Sequence, residues 1–142
     1  MRIVLDTNVL LVCVSPRSAF RWLFDSFLNE EFTLCVTTEI LAEYEEILKR
    51  HSGEEFASLA LQLIENAVNT AFITRYYRWE LIKIDLDDNK FVDCAIAANA
   101  HFIVTEDKHF KILSEIPFPK VNVISTEDFK KQIEMQKNSK VN

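Results

Sequence analysis

Hydrophobic residues fall along this chain in short dense runs, separated by longer stretches in which they recur every three or four positions. The run Arg2–Leu5 is β-branched and apolar and reads as a buried first strand ending in Asp6, Thr7 and Asn8. Helical spacing follows over residues 18–28, with Phe20, Leu23, Phe24, Phe27 and Leu28 on one side, and residues 32–36 form a second strand running into Thr37 and Thr38. Thr38 is the expected N-cap of a helix over 39–50, whose stripe is Ile40, Leu41, Tyr44, Ile47 and Leu48. Gly53, the only glycine in the chain, follows its end. Next come a helix over 54–69 and a strand-like run from Arg75 that closes at residues 81–84, followed by the acidic cluster Asp85, Asp87 and Asp88. A helix through Phe91, Val92, Ala95, Ile96 and Asn99, strands at 102–104 and 121–124, and a terminal helix from Thr126 complete the pattern.

Strands alternating with helices predict a three-layer α/β/α domain with a central, mostly parallel sheet. In such sheets, ligands bind beyond the carboxyl ends of the strands. The pattern holds no repeat or linker, so residues 1–136 read as one domain, with a polar tail over 137–142 that frays.

At 142 residues, 49% apolar and 27% charged, the chain is long enough to bury a core without disulfides. Cys13, Cys35 and Cys94 are odd in number, widely spaced and set in apolar runs, which makes them free core thiols. Free thiols fit a reducing compartment, and Asp6 and Asn8 interrupt what would have to be a signal peptide. A cytoplasmic protein with no membrane association is expected. The net charge of -6 opposes gripping nucleic acid by bulk positive charge. That objection weakens where the surplus acid surrounds a metal ion, whose own charge reverses the local field.

Three expected strand ends are followed by acid: Asp6, Asp88 and Asp107. In a parallel sheet these ends share one edge. At about 4 Å and an effective dielectric near 20, each like-charge pair costs roughly 4 kcal/mol, so something must offset the repulsion. A hard site for magnesium or manganese suits carboxylates without histidine or cysteine close by in sequence. Glu43 is the candidate fourth acid, but on the helical wheel Glu43 and Glu45 border opposite edges of the apolar stripe, and position leaves them even. Asp88 falls in line with Phe91, Val92 and Ala95, which points its carboxylate toward the sheet, although an aspartate before a helix is also a common cap.

Four stretches, in order and suitably spaced, resemble the PIN-domain nucleases. They are Ile3-Val4-Leu5-Asp6-Thr7-Asn8-Val9-Leu10, Thr38-Glu39-Ile40-Leu41-Ala42-Glu43, Asp85-Leu86-Asp87-Asp88-Asn89-Lys90-Phe91 and Ile103-Val104-Thr105-Glu106-Asp107. The similarity is closest to the bacterial, VapC-related proteins described as toxins of toxin-antitoxin pairs. It implies a ribonuclease dependent on Mg2+ or Mn2+ with catalytic acids Asp6, Glu43, Asp88 and Asp107, and selects Glu43 over Glu45. Asp6, Asp88 and Asp107 would bind metal, Glu43 would position the attacking water, and Asn8 and Thr105 would orient carboxylates. Asp93-Cys94-Ala95-Ile96-Ala97 is also similar to the family's Asp-x-x-Ile-Ala pattern, making Asp93 an additional candidate. Asp88 is preferred because Asp93 leaves too little chain before Thr105 for a helix, loop and strand. Glu106 stands where the family often has a small or neutral residue, leaving open whether it joins the site or faces solvent.

Arg17, Arg21, Arg75 and Arg78 are candidates for RNA contact, the last two within the run Arg75-Tyr76-Tyr77-Arg78-Trp79, whose aromatic faces can stack on unpaired bases. Packing in a core or interface is the commoner use of such a run. Lys49 and Arg50 are weaker phosphate-contact candidates, and His51, His101 and His109 read as surface residues. The resemblance further implies an antitoxin partner and allows a homodimer. A haloacid-dehalogenase-type phosphotransferase needs a second acid where Asn8 stands, and a phosphoryl receiver needs an acidic pair near Asp6. A non-catalytic PIN-fold binding module is the remaining alternative, and four mutually repelling acids argue against it.

Overall fold

The computed structural model describes residues 1–141. Its sheet is built from β1 (Arg2–Leu5), β2 (Thr33–Val36), β3 (Thr70–Phe72), β4 (Phe102–Val104) and β5 (Val123–Ile124). The strand order is β3-β2-β1-β4-β5, and every neighbouring pair is parallel. Ile3, Val4 and Leu5 are each buried. Because successive side chains point to opposite faces of a sheet, burial of all three means that both faces of β1 are covered, as the expected three-layer architecture requires.

The covering helices are α1 (Thr7–Cys13), α2 (Arg21–Leu28), α3 (Thr38–Ser52), α4 (Glu54–Asn66), α5 (Asn89–Ala98) and α6 (Thr126–Val141). Helix α1 was not expected. It forms because Val9, Leu10 and Cys13 bury one helical face directly after β1, with Leu10 N–H donating to the Asp6 carbonyl at 3.1 Å. The cap of α3 is Thr37 and not Thr38: the Thr37 hydroxyl accepts the Ile40 N–H at 3.2 Å. Gly53 joins α3 to α4 at φ 82°, a conformation that residues with a Cβ rarely adopt. Helix α6 continues to Val141, so residues 137–141, expected as a frayed tail, are helical. Lys137 pairs there with Glu31 at 3.0 Å.

The largest correction concerns residues 81–84, which do not form a strand; the third strand is Thr70–Phe72, directly after the helix expected over 54–69, which ends at Asn66. Ile82 is buried, whereas Ile84 is 76% exposed, so the apolar run does not lie between two layers. The Asn89 side chain takes the part of a neighbouring strand. Its Oδ1 accepts the Ile82 N–H and its Nδ2 donates to the Ile82 carbonyl, both at 2.9 Å. Asp88 is therefore delivered by a 3-10 turn, Leu86–Asp88, at the entry to α5 and not by a strand end. Asn89→Ala leaves both Ile82 groups without these partners, at a cost of about 1–3 kcal/mol. Amide exchange should accelerate at Ile82 while β1 keeps its protection.

A second 3-10 segment, Lys108–Glu115, connects β4 to β5 and anchors itself in the core through Phe110 and Leu113. No helix among the described residues is long and apolar enough to cross a membrane.

Candidate functional site

The site begins where the two central strands end. Asp6 N–H donates to the Val104 carbonyl at 3.1 Å, which continues the β1–β4 ladder by one step and sets Asp6 beside the end of β4. The Thr105 hydroxyl donates to Asp6 Oδ2 at 2.8 Å and accepts the Asp107 N–H at 3.0 Å, so this buried residue ties two acids into one frame. Asp107 Oδ1 in turn accepts the His109 N–H at 2.9 Å and caps the following 3-10 segment. Asn8 lies on α1, exposed, at the edge of a cleft of about 370 Å³ shared with Asp6, Val9, Val12, Phe20 and Asp107.

Glu43 reaches the same region from α3. Its Oε2 accepts a hydrogen bond from the Thr7 hydroxyl, and its Oε1 pairs with Lys90 Nζ at 2.6 Å. Lys90 also binds Asp87 at 2.9 Å. Glu45, even with Glu43 on the wheel, instead pairs with Lys49 on the outer surface. Asp88 occupies the N-cap position of α5, yet its side chain makes no capping hydrogen bond. Its Oδ2 instead lies 3.4 Å from His109 Nδ1, which is also 3.6 Å from Asp107 Oδ1. Asp93 sits elsewhere: it is buried, accepts the Trp79 N–H at 3.1 Å and stands 3.8 Å from Arg75, which pairs with Glu39 at 2.6 Å.

These positions govern the charges. Burial pushes the Asp6 carboxyl above its ordinary range; the Thr105 hydrogen bond works against this, and the nearby Asp107 and Glu43 add to it. Asp88 is pushed up to about 6, first by burial, then by Asp85 and Asp107, with the His109 hydrogen bond opposing and Asp6 contributing. Burial works against the Lys90 ammonium, but its bonds to Glu43 and Asp87 outweigh that and hold its pKa above the usual lysine value. Asp6, Asp88 and Asp107 thus repel one another, with Asp6 and Asp88 partly desolvated. The donor set fits a hard divalent cation, which would offset that repulsion.

A carboxyl whose pKa is higher folded than unfolded binds its proton more tightly in the folded state. For Asp88 this makes stability fall as pH rises from about 3.8 to about 6, and stay level above that. Metal-free thermal melts should therefore show the Asp88→Asn variant gaining on the parent across that window. A constant difference between the two from pH 4 to 7 would contradict the raised pKa.

Of the remaining candidates, Arg21 is committed locally, donating to the Val14 carbonyl at 2.6 Å and pairing with Asp25. Arg75 is likewise held by Glu39 and Asp93. Arg17 is exposed between α1 and α2, and Arg78 is exposed beside Glu80 and Lys90. Tyr77, Trp79 and Phe118 form an aromatic group, with ring centroids 4.7 and 6.3 Å apart, and Tyr76 is 90% exposed. Glu106 accepts both the N–H and the hydroxyl of Thr126 at 2.7 Å, which fastens the start of α6 to the rim of the cleft. The sequence reading missed Lys90, Thr7 and His109 as neighbours of the acids. His109 stood two residues after Asp107, which was the available signal, while nothing local pointed Lys90 toward Glu43, 47 residues away.

The family model for the PIN domain matches residues 2–109. No curated protein matches the sequence. Among solved structures, VapBC2 from Rickettsia felis, bound to a DNA fragment from its promoter, is 19% identical with a TM-score of 0.63, covering 88% of this chain and 98% of that one. VapC20 from Mycobacterium tuberculosis, a toxin that cleaves the sarcin-ricin loop, is 16% identical with a TM-score of 0.58, covering 84% and 98%. The PIN domain endonuclease Utp24 is 16% identical with a TM-score of 0.53, covering 87% and 84%. These likenesses establish the fold, and the family match over most of the sequence shows that the chain belongs to the PIN-domain family.

Proposed function

We propose that this PIN domain is a divalent-metal-dependent ribonuclease and the toxin of a toxin-antitoxin pair. The observation that carries the reading is that Asp6, Glu43, Asp88 and Asp107 come from four separate segments close enough to act on one another's charge, Asp107 and Glu43 on Asp6 and Asp107 and Asp6 on Asp88, with Asp6 and Asp88 destabilised as anions. Asp6, Asp88 and Asp107 would hold Mg2+ or Mn2+. When bound, the ion supplies charge neutralisation at the scissile phosphate and a lowered pKa for a coordinated water.

The protein's own groups do the rest. The Thr105 hydroxyl ties the Asp6 carboxylate to the Asp107 backbone, and the His109 N–H holds the Asp107 carboxylate, so both acids are oriented before an ion arrives. Thr7 and Lys90 hold Glu43 in one orientation, from which its carboxylate positions the attacking water. Arg17, Arg78 and the exposed Tyr76 offer contacts to an RNA strand crossing this edge. Asn8, at the cleft rim, is placed to contact the strand or a carboxylate. Asp93 serves to hold the 75–79 segment and is not assigned to metal.

Similar structures include a toxin and a toxin-antitoxin complex, which supports an antitoxin partner here. Three buried free cysteines support the cytoplasmic setting. Homodimer formation is open to sedimentation. The deciding experiment is cleavage of a pool of structured and single-stranded RNA with magnesium, with manganese and with chelator. Cleavage that requires metal supports the ribonuclease. A folded protein that neither cleaves RNA nor binds metal by calorimetry is instead a binding module.

A further inference from the structure

We propose that Asp85, Asp88 and His109 form a nitrogen-containing metal site that shares Asp88 with the centre described above and gives the protein a preference for Mn2+ over Mg2+. The proposal rests on the reading of Asp88 as a metal ligand. One donor atom from each of the three residues can be chosen so that all lie within 4.8 Å of one another. Around an ion with bonds of about 2.1 Å, adjacent ligand atoms stand roughly 3 Å apart and opposite ones roughly 4.2 Å. The three donors therefore need only small shifts to meet one ion.

His109 is not placed there by chance rotation of an exposed ring. Its N–H is fixed by Asp107 at 2.9 Å, and the next residue, Phe110, is fully buried 6.4 Å from Phe91 of α5, the helix that Asp88 opens. The backbone thus carries the ring to the side of Asp88. At 3.4 and 3.6 Å from two carboxylate oxygens, Nδ1 is too far for a short charge-assisted hydrogen bond and well spaced for a shared ligand sphere. Imidazole favours first-row transition ions over magnesium, which keeps to oxygen and water.

The test uses the full-length protein with Mn2+ and pulsed electron paramagnetic resonance, which detects nitrogen bonded to the ion. The parent should show imidazole coupling, and His109→Gln should lose it. Calorimetry of the same variant should show Mn2+ affinity falling about tenfold or more while Mg2+ affinity changes far less. Asp6→Asn, outside the three-residue set, should keep the coupling. Mn2+ bound without nitrogen coupling overturns the His109 assignment and leaves the ribonuclease reading standing. Failure of the parent to bind either ion overturns both.

Discussion

Asp6→Asn is expected to lower metal-dependent RNA cleavage by about a thousandfold or more, equivalent to roughly 4 kcal/mol of transition-state stabilisation, while the protein stays folded. The two effects separate because of where Asp6 sits. Its carboxylate is buried, near Asp107 and Glu43, and raised in pKa, so at neutral pH its charge is a burden on the metal-free fold. Asparagine keeps an oxygen to accept the Thr105 hydroxyl and removes the charge. The variant should melt a few degrees higher than the metal-free parent, the shift that about 1 kcal/mol produces in a domain of this length. Cleavage assays and melts on the same preparation check both halves. Undiminished cleavage would remove Asp6 from the mechanism, and a lowered melting temperature would mean that the carboxylate stabilises the fold.

Asp88→Asn and Asp93→Asn should part company just as sharply. Asp88 makes no capping bond and stands among acids, so its loss is expected to cost activity on the scale of Asp6→Asn without loss of stability. Asp93 is buried with the Trp79 N–H and the Arg75 guanidinium. Asparagine can retain the first contact but leaves Arg75 with Glu39 alone, so the expected result is about 1–2 kcal/mol of destabilisation with most activity retained. Steady-state cleavage and chemical denaturation of the two variants side by side test this. Inactivation by Asp93→Asn alone would move the third acid to position 93.

The two aspartates show how local patterns divide from tertiary ones. Asp88 stands at the start of α5 and Asp93 in its middle, and both sit in stretches similar to family motifs. Wheel position turned Asp88 inward correctly, since Asp88, Phe91, Val92 and Ala95 are all buried. It could not show that Asp93, buried more deeply, faces the 75–79 segment.

The strand expected at residues 81–84 failed for a related reason. Leu81, Ile82 and Ile84 have strand-like chemistry, but a strand forms only where a neighbour offers its backbone, and here the side chain of Asn89 fills that place. The position of Asp88 nevertheless came out near the sheet edge, because the hydrophobic face of α5 fixes its first turn there.

What the sequence determined by itself was the alternation of buried strands and amphipathic helices, hence the parallel three-layer fold. It also placed Asp6 and Asp107 beyond the ends of strands that burial makes adjacent. These are consequences of periodicity, which is local. The partners of the acids were decided only by the tertiary structure. Thr7 and Lys90 meet Glu43 across 36 and 47 residues, Thr105 meets Asp6 across 99, and His109 meets Asp88 across 21. Such pairings depend on how whole elements dock, and no spacing along the chain encodes the orientation of one packed helix against another.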